Sequence, residues 1–236
     1  MERDVLTWRG LRKMITNEID TVRPQIIDTF EKLRKDYYDL RSRWGVEEGI
    51  SESRKRESEY YTSTTYLTDR LDNQDNHVGW PEHFYSINLP QLRDKRPEYW
   101  KHYVDRAKNF TAVMLGAHTS ALALNYPPQG FVSWHTNWNA PSYQILFTWS
   151  KTGEGYFRYR DPITHEIVTL QDKVGWNVRY HYFGAKDDPS RVLWHCAYTK
   201  CERFSFAYKF VDCSEEYFLS SLEDIRENDK NISMAM

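Results

Sequence analysis

Apolar residues recur at three- and four-residue steps in the first part of the chain, the spacing of one helix face. The stripe lies within residues 11–46. Its members are Ile26, Ile27, Phe30, Leu33, Tyr37, Leu40 and Trp44. Pro24 suits a first helical turn and Gly45 would end the helix. The pattern predicts a helix over 11–46 with one face that packs on another surface.

A polar segment follows, and a second helical pattern lies beyond it. Residues 47–60 are almost entirely polar and of mixed charge, which fits an exposed loop or a frayed helix, and we expect a mobile connection. Residues 98–110 predict a helix because four apolar positions share a face. These are Tyr99, Tyr103, Ala107 and Phe110. The stretch from 47 to 97 fits either a lid over a pocket or a plain surface excursion.

From about Thr111 onward the pattern is that of short strands rich in Val, Ile, Phe, Tyr and Trp, bounded by turn residues. We predict strands near 111–125, 131–135, 143–150, 155–160, 165–170, 176–183, 191–196 and 203–211. Eight such strands are typical of a sandwich or jelly roll. We therefore expect one domain over 1–236. A helical buttress with a possible lid would occupy 1–110, the β core 111–212, and a C-terminal helix and tail 213–236. The fold class is mainly β with N-terminal helices.

Composition excludes several classes of protein. The 236 residues are 40% hydrophobic, which suits a folded core rather than a disordered or fibrous chain. A net charge of -2 does not indicate nucleic-acid binding, and no apolar run is long enough to cross a membrane. Three cysteines, none in a C-x-x-C pair, predict neither disulfides nor a zinc ribbon. We expect a cytoplasmic protein.

Two strand-end segments contain the residues with the clearest chemistry. His135 and Asn137 are two residues apart, so on a strand both face the same side and can approach one metal ion. His195 lies on a later strand that a jelly roll can bring alongside. Arg203 and Ser205 again share one face, and a guanidinium fork suits a carboxylate. These residues predict a metal site next to a carboxylate-binding site.

The order His-x-Asn, His, Arg-x-Ser resembles the active-site pattern of the iron(II)- and 2-oxoglutarate-dependent dioxygenases. The resemblance covers roughly residues 122–212. Two segments also look like those of oxygenases from marine bacteriophages: GFVSWHTNWNAPSYQILFTWS and GYFRYRDP. The resemblance to the family implies a double-stranded β-helix. It also implies Fe(II) at His135, Asn137 and His195, and 2-oxoglutarate at Arg203 and Ser205. Tyr126 matches a tyrosine that bonds this cosubstrate. A phage origin would place the protein in the host cytoplasm.

Position 137 departs from that family, which normally has a carboxylate there. A neutral amide oxygen is a weaker donor, so we expect weaker iron retention. Three explanations stay open: the amide binds iron in an active enzyme, the position is filled by water, chloride or a remote carboxylate such as Glu154 or Asp161, or the site is inactive. Halogenating relatives have a small residue at this position, which counts against halogenation here.

The resemblance implies hydroxylation of a C–H bond with dioxygen and 2-oxoglutarate, forming succinate and CO2. The primary substrate is unknown, and a small molecule, a nucleobase and a protein side chain are all compatible. The alternative is an inactive cupin-like binding or structural module, with Asn137 as the lesion. A zinc hydrolase is disfavoured because no glutamate stands beside either histidine in an H-E-x-x-H frame.

Overall fold

The computed structural model describes most of the chain between residues 16 and 226. The described ranges are 16–43, 51–73, 81–92, 94, 97–103, 116–137, 140–185, 187–211 and 215–226. Several residues used in the sequence predictions lie outside them. These are Trp44, Gly45, Ala107, Phe110 and Cys213.

Within the described ranges, five α-helices, one short 3-10 helix (Leu89–Leu92) and eleven strands are present. The helices are α1 (Pro24–Arg43), α2 (Glu52–Tyr61), α3 (Thr64–Asp72), α4 (Pro97–Tyr103) and α5 (Glu215–Ile225). The early strands are β1 (Thr16–Glu18), β2 (Phe84–Tyr85), β3 (Ile87–Asn88), β4 (Thr119–Tyr126), β5 (Phe131–His135) and β6 (Ser142–Ser150). The later strands are β7 (Gly155–Arg160), β8 (Ile167–Gln171), β9 (Gly175–Phe183), β10 (Trp194–Thr199) and β11 (Arg203–Phe210).

The strands form two antiparallel sheets. The larger sheet has the order β1-β9-β6-β11-β4-β3 and the smaller has β2-β5-β10-β7-β8. The chain passes from one sheet to the other at most of its turns, so strands that are neighbours in sequence lie in different layers. This arrangement is jelly-roll-like, and it confirms the predicted mainly β fold with helices.

Helix α1 covers the outer face of the larger sheet. Phe30, at 0% exposure, contacts the rings of Phe147, Phe206 and Tyr208, with centroid distances of 4.4 to 6.1 Å within this cluster. Helix α5 adds Phe218 to the same core. Strand alternation explains the pattern, because odd and even residues of β6 and β11 face opposite sides. One side is filled by α1, which leaves the other for the space between the sheets.

The smaller sheet is covered on its outside by α2 and α3. Tyr66 and Leu67 pack with Trp134, Trp194 and Cys196, all buried. Helix α2 begins at Ser51, whose hydroxyl accepts a hydrogen bond from the Arg54 backbone N–H. The mobile connection expected over 47–60 is therefore wrong for residues 52–60. A capped helix forms there because the segment has a strand surface to rest on.

Other sequence predictions need smaller corrections. The helix predicted from residue 11 begins at Pro24, and Thr16–Glu18 instead pairs with β9, where Asn17 is opposite Tyr180. The segment before residue 111 is thus not purely helical, since β2 and β3 also extend the two sheets. The eight predicted strands are all present, two of them with the predicted bounds and the first starting at Thr119. No described helix is long and apolar enough to cross a membrane.

Candidate active site

The two sheets enclose a cavity of about 220 Å3. Its walls are mostly apolar, with Leu146 from the larger sheet and Phe157 from the smaller. The polar lining falls into two groups: His135, His195 and Asn137 on one side, and Tyr126, Arg203 and Ser205 on the other. All six residues named from the sequence therefore line the same cavity.

A β-bulge turns His135 into this cavity. In the pairing of β10 with β5, His195 is opposite His135 and Ala197 is opposite Val132. One residue of β10, Cys196, therefore faces two residues of β5, Ser133 and Trp134, which is a β-bulge. Val132 and His135 both line the cavity, although three residues apart, and Trp134 faces outward. In a regular strand His135 would face away from Val132's side. The bulge thus brings the two imidazoles to a centroid distance of 4.1 Å.

Backbone carbonyls set the tautomer of both histidine rings. His135 Nδ1 lies 2.8 Å from the Ser133 carbonyl oxygen, and His195 Nδ1 lies 2.9 Å from that of Leu193. A carbonyl oxygen can only accept, so each Nδ1 carries the hydrogen and each Nε2 carries a lone pair in the neutral ring. Burial lowers the pKa of His195 to about 4, against the bond to Leu193. His195 is therefore neutral at pH 7, as a metal ligand must be.

Asn137 follows the end of β5 and is half-buried at the cavity wall. Among the described residues, no group of three His, Cys, Asp or Glu side chains is close enough to hold a metal ion. The remote carboxylates considered from the sequence are engaged elsewhere: Glu154 accepts from the Thr152 hydroxyl, and Asp161 caps a turn through the backbone N–H of Ile163. Both are surface contacts outside the cavity. Asn137 offers a side-chain amide oxygen in the cavity that both histidines line.

A buried guanidinium closes the other end of the cavity. Arg203 is 1% exposed, and its Nη1 donates to the Ser205 hydroxyl at 3.0 Å. Tyr126 is its register partner on β4, and the guanidinium carbon lies 5.0 Å from the centre of the Tyr126 ring. Burial opposes the charge of Arg203, but the carboxylate of Asp172 and the neighbouring Tyr126 raise its pKa. A permanent cation therefore stands beside two hydroxyl groups at the floor of an apolar cavity.

Asp172 is a site residue that the sequence predictions missed. It follows β8, is fully buried, and accepts from Arg203 Nε at 2.8 Å and from Arg179 Nη1 at 2.9 Å. Because Asp172 holds Nε, the Nη end of Arg203 is the part aimed at the cavity. The carboxylate fits because Gly155 lacks a side chain; a Cβ there would lie 2.7 Å from Asp172 Oδ2. Among 34 acidic residues, nothing in sequence singled this one out.

The donor set fits a divalent metal of the kind held by two imidazoles and one oxygen. Neutral histidines with oriented rings suit Fe(II), Zn and related ions. Among the described residues that line the cavity, His135, His195 and Asn137 can supply three donors, and three donors leave coordination positions for other ligands. The neighbouring Arg203 offers charge-assisted hydrogen bonds to a carboxylate. Together these residues can bind a metal ion and an organic acid in one water-poor cavity.

Comparison with known proteins gives distant structural likenesses. No protein-family model and no curated protein matches the sequence. A Shewanella oneidensis protein proposed to be an oxygenase shows 14% identity and a TM-score of 0.40, covering 92% of this chain and 90% of that one. A Pseudomonas putida prolyl-4-hydroxylase shows 12% identity and a TM-score of 0.31, covering 66% and 88%. A viral collagen prolyl hydroxylase from Paramecium bursaria Chlorella virus-1, in complex with 2-oxoglutarate, shows 9% identity and a TM-score of 0.29. The match covers 64% of this chain and 91% of that one.

Replacing the buried carboxylate should cost more than replacing an exposed one. Asp172→Asn keeps the side-chain shape but removes the carboxylate that pairs with Arg203, and it leaves Arg179 with Glu18 as its charged partner. We expect the free energy of unfolding, measured by urea denaturation, to fall by about 3–5 kcal/mol. The matched control is Asp224→Asn, whose ion pair with Arg23 is solvent-exposed at 3.9 Å and is expected to contribute less than about 0.5 kcal/mol. Equal effects of the two substitutions would contradict this role of Asp172.

Two buried imidazoles should make the metal-free protein less stable in mild acid. Burial lowers the pKa of His181 to about 3 and of His195 to about 4, from an ordinary value of 6.5. A group whose pKa is lowered on folding contributes its full stabilisation above the unfolded-state value and loses it as the pH falls toward the folded value. Between pH 6.5 and 5, we expect the two to reduce the free energy of unfolding by about 3 kcal/mol.

Urea denaturation in the presence of a chelator at these two pH values measures the loss. His181→Gln should remove about half of it, because one of the two groups no longer titrates. His165→Asn is the control, since this histidine is exposed and has a φ of 63° that asparagine tolerates. A loss that is the same in wild type and His181→Gln would show that His181 does not titrate in this way.

Proposed function

We propose that this protein is an Fe(II)- and 2-oxoglutarate-dependent oxygenase that hydroxylates a C–H bond of a primary substrate. The observation that carries the proposal is that one cavity contains two adjacent histidines, whose Nδ1 atoms face backbone carbonyls, together with the buried Arg203. Neither feature is needed for packing, since an apolar pair would fill the same space at lower cost. The strand order β4-β11-β6-β9 facing β5-β10-β7-β8 supports a double-stranded β-helix.

In this proposal His135 and His195 hold Fe(II) through Nε2, and Asn137 supplies the oxygen donor. When bound, Fe(II) would couple two reactions: the oxidative decarboxylation of 2-oxoglutarate by dioxygen to succinate and CO2, and the insertion of oxygen into a C–H bond. Arg203 grips the distal carboxylate of 2-oxoglutarate through its Nη end, and Ser205 and Tyr126 add hydroxyl contacts. The apolar wall keeps water out and strengthens these electrostatic contacts.

The family resemblance of the sequence also supports the proposed oxygenase function. It suggests a phage origin, with activity in the host cytoplasm. It leaves the primary substrate open. The described part of N-terminal segment 47–97 does not act as a lid in this proposal. Helices α2 and α3 lie on the outside of the smaller sheet, and among residues 51–73 and 81–92 only Pro81 lines the cavity.

Turnover of 2-oxoglutarate is the direct test. Wild-type protein with Fe(II), ascorbate and oxygen should convert 2-oxoglutarate to succinate even without a primary substrate, measured by chromatography. His135→Ala should abolish this conversion. Arg203→Lys keeps a charge beside Asp172 but loses the planar fork, so the KM for 2-oxoglutarate should rise at least about tenfold. Arg191→Met, at an exposed arginine, should leave both the rate of succinate formation and the KM for 2-oxoglutarate unchanged. No succinate from folded wild-type protein would refute the proposal.

A second candidate is an inactive cupin-like module, and the carboxylate-free donor set is the observation that favours it. Asn137→Asp separates the two. If Asn137 is a ligand of an active site, a carboxylate there should tighten Mn(II) or anaerobic Fe(II) binding by at least about tenfold in calorimetry. Succinate formation should persist or increase.

Gln144→Glu is the matched control, because it adds the same charge to the cavity wall at a different position. It should change the metal affinity less than Asn137→Asp does. An equal gain in both variants would show that Asn137 does not bind the metal. Tight metal binding without any turnover, in both wild type and Asn137→Asp, would favour the inactive module.

A further inference from the structure

The cavity has a second cation that the proposed function does not use. Lys209 lies on β11 and lines the cavity together with Arg203, Ser205 and Ala207, all on the same face of the strand. We propose that Lys209 binds a carboxylate or phosphate group of the primary substrate, which is then a small anionic molecule with an apolar body. This inference rests on the proposed function, in which Arg203 is taken by 2-oxoglutarate.

Burial shows that Lys209 stands at the mouth of the cavity and Arg203 at its floor. Along β4 the residues change from exposed at Thr119 through half-buried at Ala121 and Leu122 to fully buried at Tyr126. Strand β11 runs antiparallel to it, with Lys209 opposite Thr119 and Arg203 opposite Tyr126. Lys209 therefore lies at the solvent-exposed end of these strands and Arg203 at the buried end.

The two cations are too far apart to bind the same small acid. Six residues separate them on one strand, which corresponds to about 20 Å between their Cα atoms. A five-carbon dicarboxylate held by Arg203 therefore does not extend to Lys209. Between them the wall is apolar, with Ala207 from β11 and its partner Leu122 from β4. This order of surfaces suits a molecule with an anionic end and an apolar body.

The charge at the mouth has no internal counterpart in the described part of the chain. No carboxylate there lies within ion-pair distance of Lys209, and none lines the cavity. Gln144, the register partner of Lys209 on β6, is 4% exposed and also lines the cavity. One Nε2 hydrogen of Gln144 bonds the Ser142 hydroxyl, so the other can donate to an anion beside the ammonium group. An amide donor and a cation side by side form an anion-binding pair.

A matched probe series tests the proposal by calorimetry. The protein is loaded with Fe(II) and saturating 2-oxoglutarate without oxygen, so that Arg203 is occupied. It is then titrated with 4-phenylbutanoate, 4-phenylbutyl phosphate and neutral 4-phenylbutan-1-ol. Wild type should bind at least one anion about fivefold more tightly than the alcohol. The better anion of the two indicates whether a carboxylate or a phosphate is preferred.

Variants assign the preference to Lys209. Lys209→Met, which keeps the apolar stem, should bind all three probes equally, and Lys209→Arg should retain the preference. Binding of 2-oxoglutarate should be the same in all three proteins. No preference for an anion in wild type, no binding of any probe, or a preference that survives in Lys209→Met would overturn the proposal.

The test also separates this inference from the function on which it rests. If 2-oxoglutarate itself does not bind, the proposed function fails. The same probes titrated into Arg203→Met protein, with and without Lys209→Met, then still report whether Lys209 selects anions. A preference for anions that depends on Lys209 would support anion binding at the mouth even then. If no such preference is found, both proposals fail.

Discussion

The candidate site depends on one irregularity in strand pairing, the bulge in β5 opposite Cys196. Because two residues of β5 face one of β10, His135 reverses its side and lies next to His195. The same bulge leaves Trp134 on the outer face, where it packs under α2 and α3. Bulges commonly re-aim side chains next to active sites. Here the surrounding helices stabilise the displaced tryptophan, so the outer layer supports the geometry of the inner one.

The cavity places neutral bases and permanent cations in the same low-dielectric space by two different means. Burial lowers the pKa of His195 and keeps it neutral, and backbone carbonyls orient both histidine rings, so the histidines need no counter-charge. Arginine cannot lose its proton, so Arg203 requires a partner, and Asp172 provides one that Arg179 shares. Buried ion pairs of this kind contribute little net stability, and their removal is costly. Their presence beneath an open cavity is best understood as a means to hold a guanidinium ready for an anion.

Asn137 makes the proposed metal site more positive than one with a carboxylate ligand. Arg203 at the floor is paired with Asp172, which does not line the cavity, and Lys209 at the mouth faces no acidic lining residue in the described part of the chain. A cavity without an acidic lining residue favours anionic ligands. The dicarboxylic acid proposed at the floor and the anionic substrate proposed at the mouth are both consistent with this charge distribution.

Sequence alone determined the strand-rich core, the amphipathic helix around Phe30 and the types of residue in the site. These follow from local rules, because hydrophobic periods of two and of about 3.6 residues are properties of the chain itself. It did not determine the bulge, since His135 and Asn137 were placed by regular alternation. Nor did it reveal Asp172, whose role depends on Gly155, Arg179 and Arg203 meeting from separate strands. The helix at 52–61 was considered only as a frayed helix within a mobile connection, because its polar segment is held by a packed surface rather than by its own pattern. Such features are decided by contacts between residues distant in sequence, so only the tertiary structure contains them.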